Sequence, residues 1–425
     1  MVDEKIYGLS LIWQEANYNF AFFDQVPDLD WDSTYRSFIP RVLSVEIVYD
    51  YYGELQRFMA LLHDGHSNVY LPDNLEDSIS FPKIVLCDIG GRAIVENVDR
   101  SLEKQIPMGS EILEVDESIT NDHITEKVLP YISSSTDHIR KERAIQWMLR
   151  GWINTSVTVS FRTPDGRMDK LELTRNREGV DWMKSRELYN ELVEFKWLDD
   201  EVAYVALNSF NNDQVVEDFE ALLPDLYDAD GVILDLRNNG GGNTGIGAAI
   251  LAHFTSDTLR GSAWKTREHV AAYKAWGQWA DQDDWCEQYR SYFEGTAWHE
   301  GEFNESAPTP GKKIEVPFVV LIGHMTGSAA EDFLIYADAM DQATFVGRPS
   351  TGSTGQPLQF KLPGGGSARI CTKKDTYPDG REFVGYGVQP HVLVEPTVES
   401  FLSGEDITLQ KGIEVLNEKI AEVKQ

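Results

Sequence analysis

The chain has 425 residues, 42% hydrophobic and 25% charged, a make-up that suits a globular protein of about two to four domains. With 70 acidic against 38 basic residues the formal net charge is −32. That argues against nucleic acid or an anionic membrane surface as a partner, since both require basic patches. No apolar run approaches the length of a membrane-spanning helix. The three cysteines, Cys87, Cys286 and Cys371, are widely spaced and odd in number, so neither a metal site nor a disulfide framework is expected. Met1-Val2-Asp3-Glu4-Lys5 has no apolar region behind it and does not read as a signal peptide. Two compartments remain open, the cytoplasm or an extracytoplasmic space reached through a removed leader, the second slightly favoured.

Residues 8–64 carry a helical pattern, with Leu9, Ile12, Trp13 and Ala16 at spacings of three and four,. A break at Pro27-Asp28-Leu29-Asp30 separates this helix from two more, expected over Trp31–Pro40 and Val42–Leu62. The last should leave through Gly65 in a left-handed conformation, within His63-Asp64-Gly65-His66-Ser67. A histidine on a loop carried by a rigid helix suits a general base; a histidine favourable to the helix dipole is the plainer reading.

Residues 79–178 read as a small separate domain. Strands are expected at Ile84-Val85-Leu86, Ala93-Ile94-Val95 and Glu111–Asp116, helices around Ile124–Ile132 and His138–Leu149, and a closing hairpin turns at Pro164-Asp165-Gly166,. From residue 179 to 402 the pattern is α/β. The strand Gly231–Arg237 runs into Asn238-Asn239-Gly240-Gly241-Gly242-Asn243 and a helix from Thr244. Consecutive glycines let a backbone approach a ligand closely, but neither the P-loop lysine nor a dinucleotide fingerprint is present. Residues 262–312 are a Trp-rich insertion, and 403–425 form a closing helix.

The second apolar strand, Phe318–Ile322, ends in Gly323-His324-Met325-Thr326-Gly327-Ser328 before a helical run from Ala329. A serine at that junction sits beside amides without intrahelical acceptors and at the positive end of the helix dipole. There it can act as a nucleophile with an oxyanion site alongside. An ordinary N-cap role for Ser328 or Thr326 explains the same residues.

Several segments occur together in one order: "LLHDGHSNVYLP", "VILDLRNNGGG", "FVVLIGHMTGSAAEDF", and "TFVGRPSTGSTGQ" with "GYGVQPHVLV". Together they resemble the tail-specific (C-terminal processing) peptidases and the related tricorn proteases, over about residues 10 to 400. The stretch "IPMGSEILEVD" resembles the central strands of a PDZ domain. The resemblance implies a multi-domain α+β chain: a ClpP/crotonase-like α/β core, an N-terminal helical region over 1–78 and a PDZ-like domain. It implies serine peptidase activity on extended or C-terminal peptide segments, with no metal or organic cofactor.

Carried onto this sequence, Ser328 matches the nucleophile. The processing-peptidase branch has a lysine base in a "GKGSVQ"-like loop, where this chain has Gly352-Ser353-Thr354-Gly355-Gln356. The tricorn-like branch uses a histidine, which His66 matches, with His63 its rival. Gly240, Gly241 and Ala329 match the oxyanion donors. For the group that orients the base, Asp64, Ser67 and Glu382 are the candidates, Val384 standing where the family has a glutamate. Glu331 reads as an acid favoured in the first helical turn. A non-catalytic relative binding a peptide or hydrophobic ligand is the alternative.

Overall fold

The computed structural model describes residues 2–176, 179–184, 191–198 and 201–424; the expected domain boundary at residue 178 lies outside these. The chain opens with helices Val2–Asn19, Trp31–Ser44 and Val48–Ala60. Asp30 caps the second by accepting from the Ser33 amide. The helix does not stop at Pro40, as expected, but runs through it. Pro40 lies on the exposed face, where water can serve the carbonyl it leaves unbonded. Trp31, Phe38 and Val42 are meanwhile buried on the other face. Trp31 stacks on Phe58 of the third helix at 4.1 Å between ring centroids.

The core is a six-stranded sheet. In spatial order it runs Val193–Trp197, Val202–Leu207, Gly231–Asp235, Phe318–Ile322, Ala343–Gly347 and Val392–Leu393. Only the first strand is antiparallel to its neighbour. The four central strands are buried at every residue, the signature of parallel strands covered on both faces. Their alternate side chains divide accordingly. Val232, Leu234, Val320 and Ile322 join a cluster with Ile246 and Phe333, from helices Thr244–Leu251 and Ala329–Asp338. Ile233, Val319 and Leu321 pack on Val415, Leu416 and Ile420 of the closing helix Ile407–Val423. Both glycine- and serine-bearing loops therefore emerge at the carboxyl ends of adjacent parallel strands, where open α/β sheets place their sites.

Strands Ile84–Ile89, Arg92–Val98, Glu111–Val115, Ser156–Arg162 and Met168–Thr174 form a separate antiparallel sheet with its own buried cluster, which takes in Ala144 and Ile145 of helix Asp137–Trp147. The helix expected over Ile124–Ile132 is replaced by a π turn, Ile124–Val128, and a 3-10 turn, Leu129–Tyr131. Pro130, which has no amide to donate, forces that change. This unit leans on the core through Thr136, whose Oγ1 donates to the Thr351 carbonyl at 3.0 Å, and through His138 Nε2, 2.8 Å from the Ser350 carbonyl. In the Trp-rich insertion, strands Ala263–Arg267 and Trp298–Gly301 pair with one another, and the first also pairs with Lys373–Thr376. Trp276, Trp279 and Trp285 remain exposed.

Candidate active site

Ser328 ends the turn after Phe318–Ile322 and precedes helix Ala329–Asp338, with φ 54° and ψ −123°. This is a sparsely populated conformation for a residue with a side chain. Such a strained strand-to-helix turn lifts a serine out of the fold, as in nucleophile elbows. Ser328 is accordingly half-buried between the buried residues Gly327 and Ala329. The turn is tied from within: Thr326 Oγ1 donates to the Leu236 carbonyl at 2.8 Å and accepts from the Gly323 amide at 3.0 Å.

The glycine loop lies directly against this turn. A Cβ on Gly241 (φ +99°) would come within 2.7 Å of Gly327 O and Ser328 Cβ and 2.8 Å of Ala329 N. Asn239, wholly buried, fixes the approach. Its side-chain amide donates to the Leu207 carbonyl, its Oδ1 accepts from the Gly241 amide at 2.9 Å, and its carbonyl accepts from the Gly327 amide. The Gly241 N–H is thus already engaged, which sets it apart from the other two expected oxyanion donors. The Ala329 amide, at the first helical position, has no intrahelical acceptor.

His66 is tied to the loop that carries Ser353. Its Nδ1 is 2.7 Å from Ser353 Oγ. The left-handed residue closing the preceding helix is His63 (φ 49°) rather than Gly65. Gly65 is required for space instead, since a Cβ there would stand 2.5 Å from Ser353 Oγ. Burial holds the His66 imidazole below its ordinary protonation range; Asp64 opposes this, and Arg369, Arg143 and Lys373 add to it. The ring is therefore neutral near pH 7, as a general base must be. His63 is exposed.

The expected orienting groups are engaged elsewhere. Asp64 accepts from Ser67 Oγ at 2.6 Å and from Ser135 Oγ at 3.1 Å, while Ser67 Oγ accepts from the Cys371 amide. These bonds fasten the His66 loop to strand Ser367–Cys371 and to segment 133–136. Glu382 is drawn to Lys374 at 2.8 Å.

Two residues whose function the sequence did not announce join the two halves. Ser353, which with Thr354 is one of two residues standing where relatives carry a lysine, is the hydrogen-bond partner of His66. Glu331 is completely buried and binds the amides of both Ser328 and Ser353, at 3.0 and 3.1 Å. An acid three residues after a capping serine was its visible signal, and it does not distinguish a cap from a hub. No hydrogen bond joins His66 directly to Ser328 among the described residues. Nor, among them, do His, Cys, Asp or Glu side chains gather as a metal site would require.

Residues 201–394 match the model of peptidase family S41. No curated protein sequence matches the chain. Among solved structures, mature CPAF is similar at 16% identity, with 99% of this chain and 98% of that one covered and a TM-score of 0.78. A putative peptidase from Parabacteroides merdae is similar at 17% identity, covering 98% and 96%, with a TM-score of 0.56. The photosystem II D1 C-terminal processing protease is similar at 16%, covering 95% and 98%, with a TM-score of 0.50. These likenesses speak for the fold. The family match spans the glycine loop, the strained serine turn and the Ser350–Ser353 loop; residues 201–394 are thus similar to peptidase family S41, and that match supports a serine-type peptidase, a hydrolase.

Proposed function

We propose that the protein cleaves peptide bonds in extended or C-terminal segments through an acyl-enzyme on Ser328, with His66 as general base and Ser353 as the residue that orients it. The observation that carries this reading is the 2.7 Å contact between His66 Nδ1 and Ser353 Oγ. With Nδ1–H donating to Ser353, Nε2 is the basic nitrogen. It takes the proton from Ser328 as Oγ attacks the carbonyl carbon. The developing oxyanion is met by the Ala329 amide and an amide of the glycine loop, Gly240 being better placed to donate than Gly241, whose N–H is spent on Asn239,. His66 then passes the proton to the leaving amine, and water, deprotonated by the same nitrogen, releases the acyl group.

The lysine of the processing branch is replaced here by Ser353, and the base is supplied by the histidine that contacts it. The unit of residues 79–178 serves as a PDZ-like peptide-capturing domain in this reading. Its contacts to the Ser350 and Thr351 carbonyls put it next to the loop that holds Ser353.

Cleavage of an unfolded protein such as casein, together with fluorophosphonate labelling, tests the assignment. Wild type should cleave and label, and Ser328→Ala and His66→Ala should do neither. Wild-type labelling that survives in Ser328→Ala would overturn the nucleophile. Undiminished cleavage by His66→Ala would overturn the base.

A further inference from the structure

Glu331 accepts hydrogen bonds from four donors and is exposed to no solvent. Oε2 receives the amides of Ser328 (3.0 Å) and Ser353 (3.1 Å). Oε1 receives the Gly352 amide (2.6 Å) and Ser350 Oγ–H (2.5 Å). The Ser350 hydroxyl accepts from the Val388 amide at 2.7 Å, which leaves its proton for Glu331. A carboxylate offers about four lone-pair sites, and only the ionised form is acceptor throughout. Here all are taken. A proton added to either oxygen must displace a donor: Ser328 or Ser353 at one, Gly352 or Ser350 at the other.

We infer that Glu331 is a positioning residue whose ionised carboxylate clamps the amide of the nucleophile and the loop supporting the base into one arrangement, so that the peptidase site is assembled only while Glu331 carries its charge. The inference rests on Ser328 being the nucleophile and His66 the base. It gives Glu331 no contact with substrate; it acts through the Ser328 backbone and through Ser353.

Burial raises the protonation range of Glu331, and the four hydrogen bonds draw it back, leaving it at about 7. Proton uptake therefore falls where the enzyme would be assayed. The titratable groups around it come from several elements. Tyr377, beyond strand Lys373–Thr376, feels the Glu331 charge. His66 bonds the side chain of Ser353, the residue whose backbone amide Glu331 holds. His138 reaches the Ser350 carbonyl, and its ring lies 4.7 Å from that of His324, which pairs with Glu142. Asp332, next on the helix, is turned to Thr244 and Ser262.

The test is the pH dependence of the rate at which a fluorophosphonate labels Ser328, with peptide kcat and KM measured alongside. Wild type should gain activity through about pH 7, above the separate titration of His66. Glu331→Gln keeps the shape but puts an NH2 donor against amides. It should lose about 10²-fold in labelling and kcat, keep KM, and lack the pH 7 limb. Glu331→Asp should recover part of the rate with a displaced limb. Ser350→Ala removes one donor, so its limb should move to higher pH. Should Glu331→Gln fail to fold, as read by circular dichroism, Ser350→Ala decides, and an unmoved limb there overturns the inference. A folded Glu331→Gln with the wild-type rate and profile overturns it while the Ser328 assignment stands. Wild type that never labels removes the peptidase reading and this inference with it.

Discussion

Gly65 and Ser353 are matched in space: the missing side chain of the first is what lets the hydroxyl of the second reach His66. Ser353→Ala should therefore lower kcat by about 10²-fold through an unoriented base, with KM nearly unchanged. Gly65→Ala should reproduce that loss, because its methyl would stand 2.5 Å from Ser353 Oγ. Both variants remove one interaction, so the double variant should be no worse than either single one. Steady-state kinetics on the four proteins check this; additive losses would mean the glycine has another task.

His63 and His66 flank the same turn, and His66 is hydrogen-bonded to Ser353 of the site loop while His63 is exposed. His63 sits in the left-handed region at φ 49°, which asparagine tolerates. His63→Asn should thus retain wild-type cleavage to within about twofold and unfold at an unchanged temperature, its surface position predicting effects below about 0.5 kcal/mol. A large loss of activity would transfer the base to His63.

The central strands were legible because each is a short, mainly apolar run, as in Phe318–Ile322, which stops at Gly323. The serine turn and the glycine loop followed, since strand ends in a parallel sheet converge. What joins them was not legible. Glu331 at the third position of a helix is what the dipole alone would favour, and nothing local announces that residues 350–353 fold back onto it. Asp64, two residues from His66, looked like its orienting group but spends its oxygens on Ser67 and Ser135. Glu382 matched by nearness to a family position, yet Lys374 claims it. Sequence distance orders candidates along the chain, while hydrogen-bond saturation decides among them.

Gly241 has both a positive φ and no room for a side chain. Gly241→Ala must move the glycine loop off the Ser328 turn, since the added methyl would meet backbone atoms rather than a flexible side chain. The expected cost is about 1–3 kcal/mol of stability, with kcat falling as the oxyanion amides shift. Asn239→Ala should cost a similar amount by leaving the Gly241 amide and Leu207 carbonyl unpaired,. Denaturant melts of the two variants check this, and wild-type midpoints in both would show that the loop holds itself.

Arg369 binds the Gly65 carbonyl and Asn68, and its charge helps keep the His66 ring neutral. Removing it in Arg369→Ala should raise the His66 protonation range toward the ordinary value. The acidic limb of kcat/KM assigned to His66 then moves to higher pH, and the variant loses most at pH 5–6, relative to wild type, where histidine titrates. Arg143→Ala should act in the same direction and more weakly. A pH profile displaced the opposite way would contradict this electrostatic account.

Glu331 should also set stability against activity as pH changes. Its folded value of about 7 lies above the ordinary 4.5, so between these limits the folded state holds a proton that the unfolded state has lost. Stability from this group is complete below about 4.5, falls as pH rises, and is gone above about 7, while the clamp on Ser328 and Ser353 tightens over the same range,. The full shift corresponds to about 3 kcal/mol. His66 works in the opposite sense: its lowered folded value means that the unfolded state binds the proton first, so stability is lost as pH falls below the ordinary histidine range,. Unfolding free energies of wild type and Glu331→Gln, measured from pH 4.5 to 8, should differ by a component that declines with pH in wild type only. Parallel curves would mean that Glu331 keeps an ordinary carboxylate titration in the folded chain, and the fall in activity below pH 7 would then belong to His66 alone.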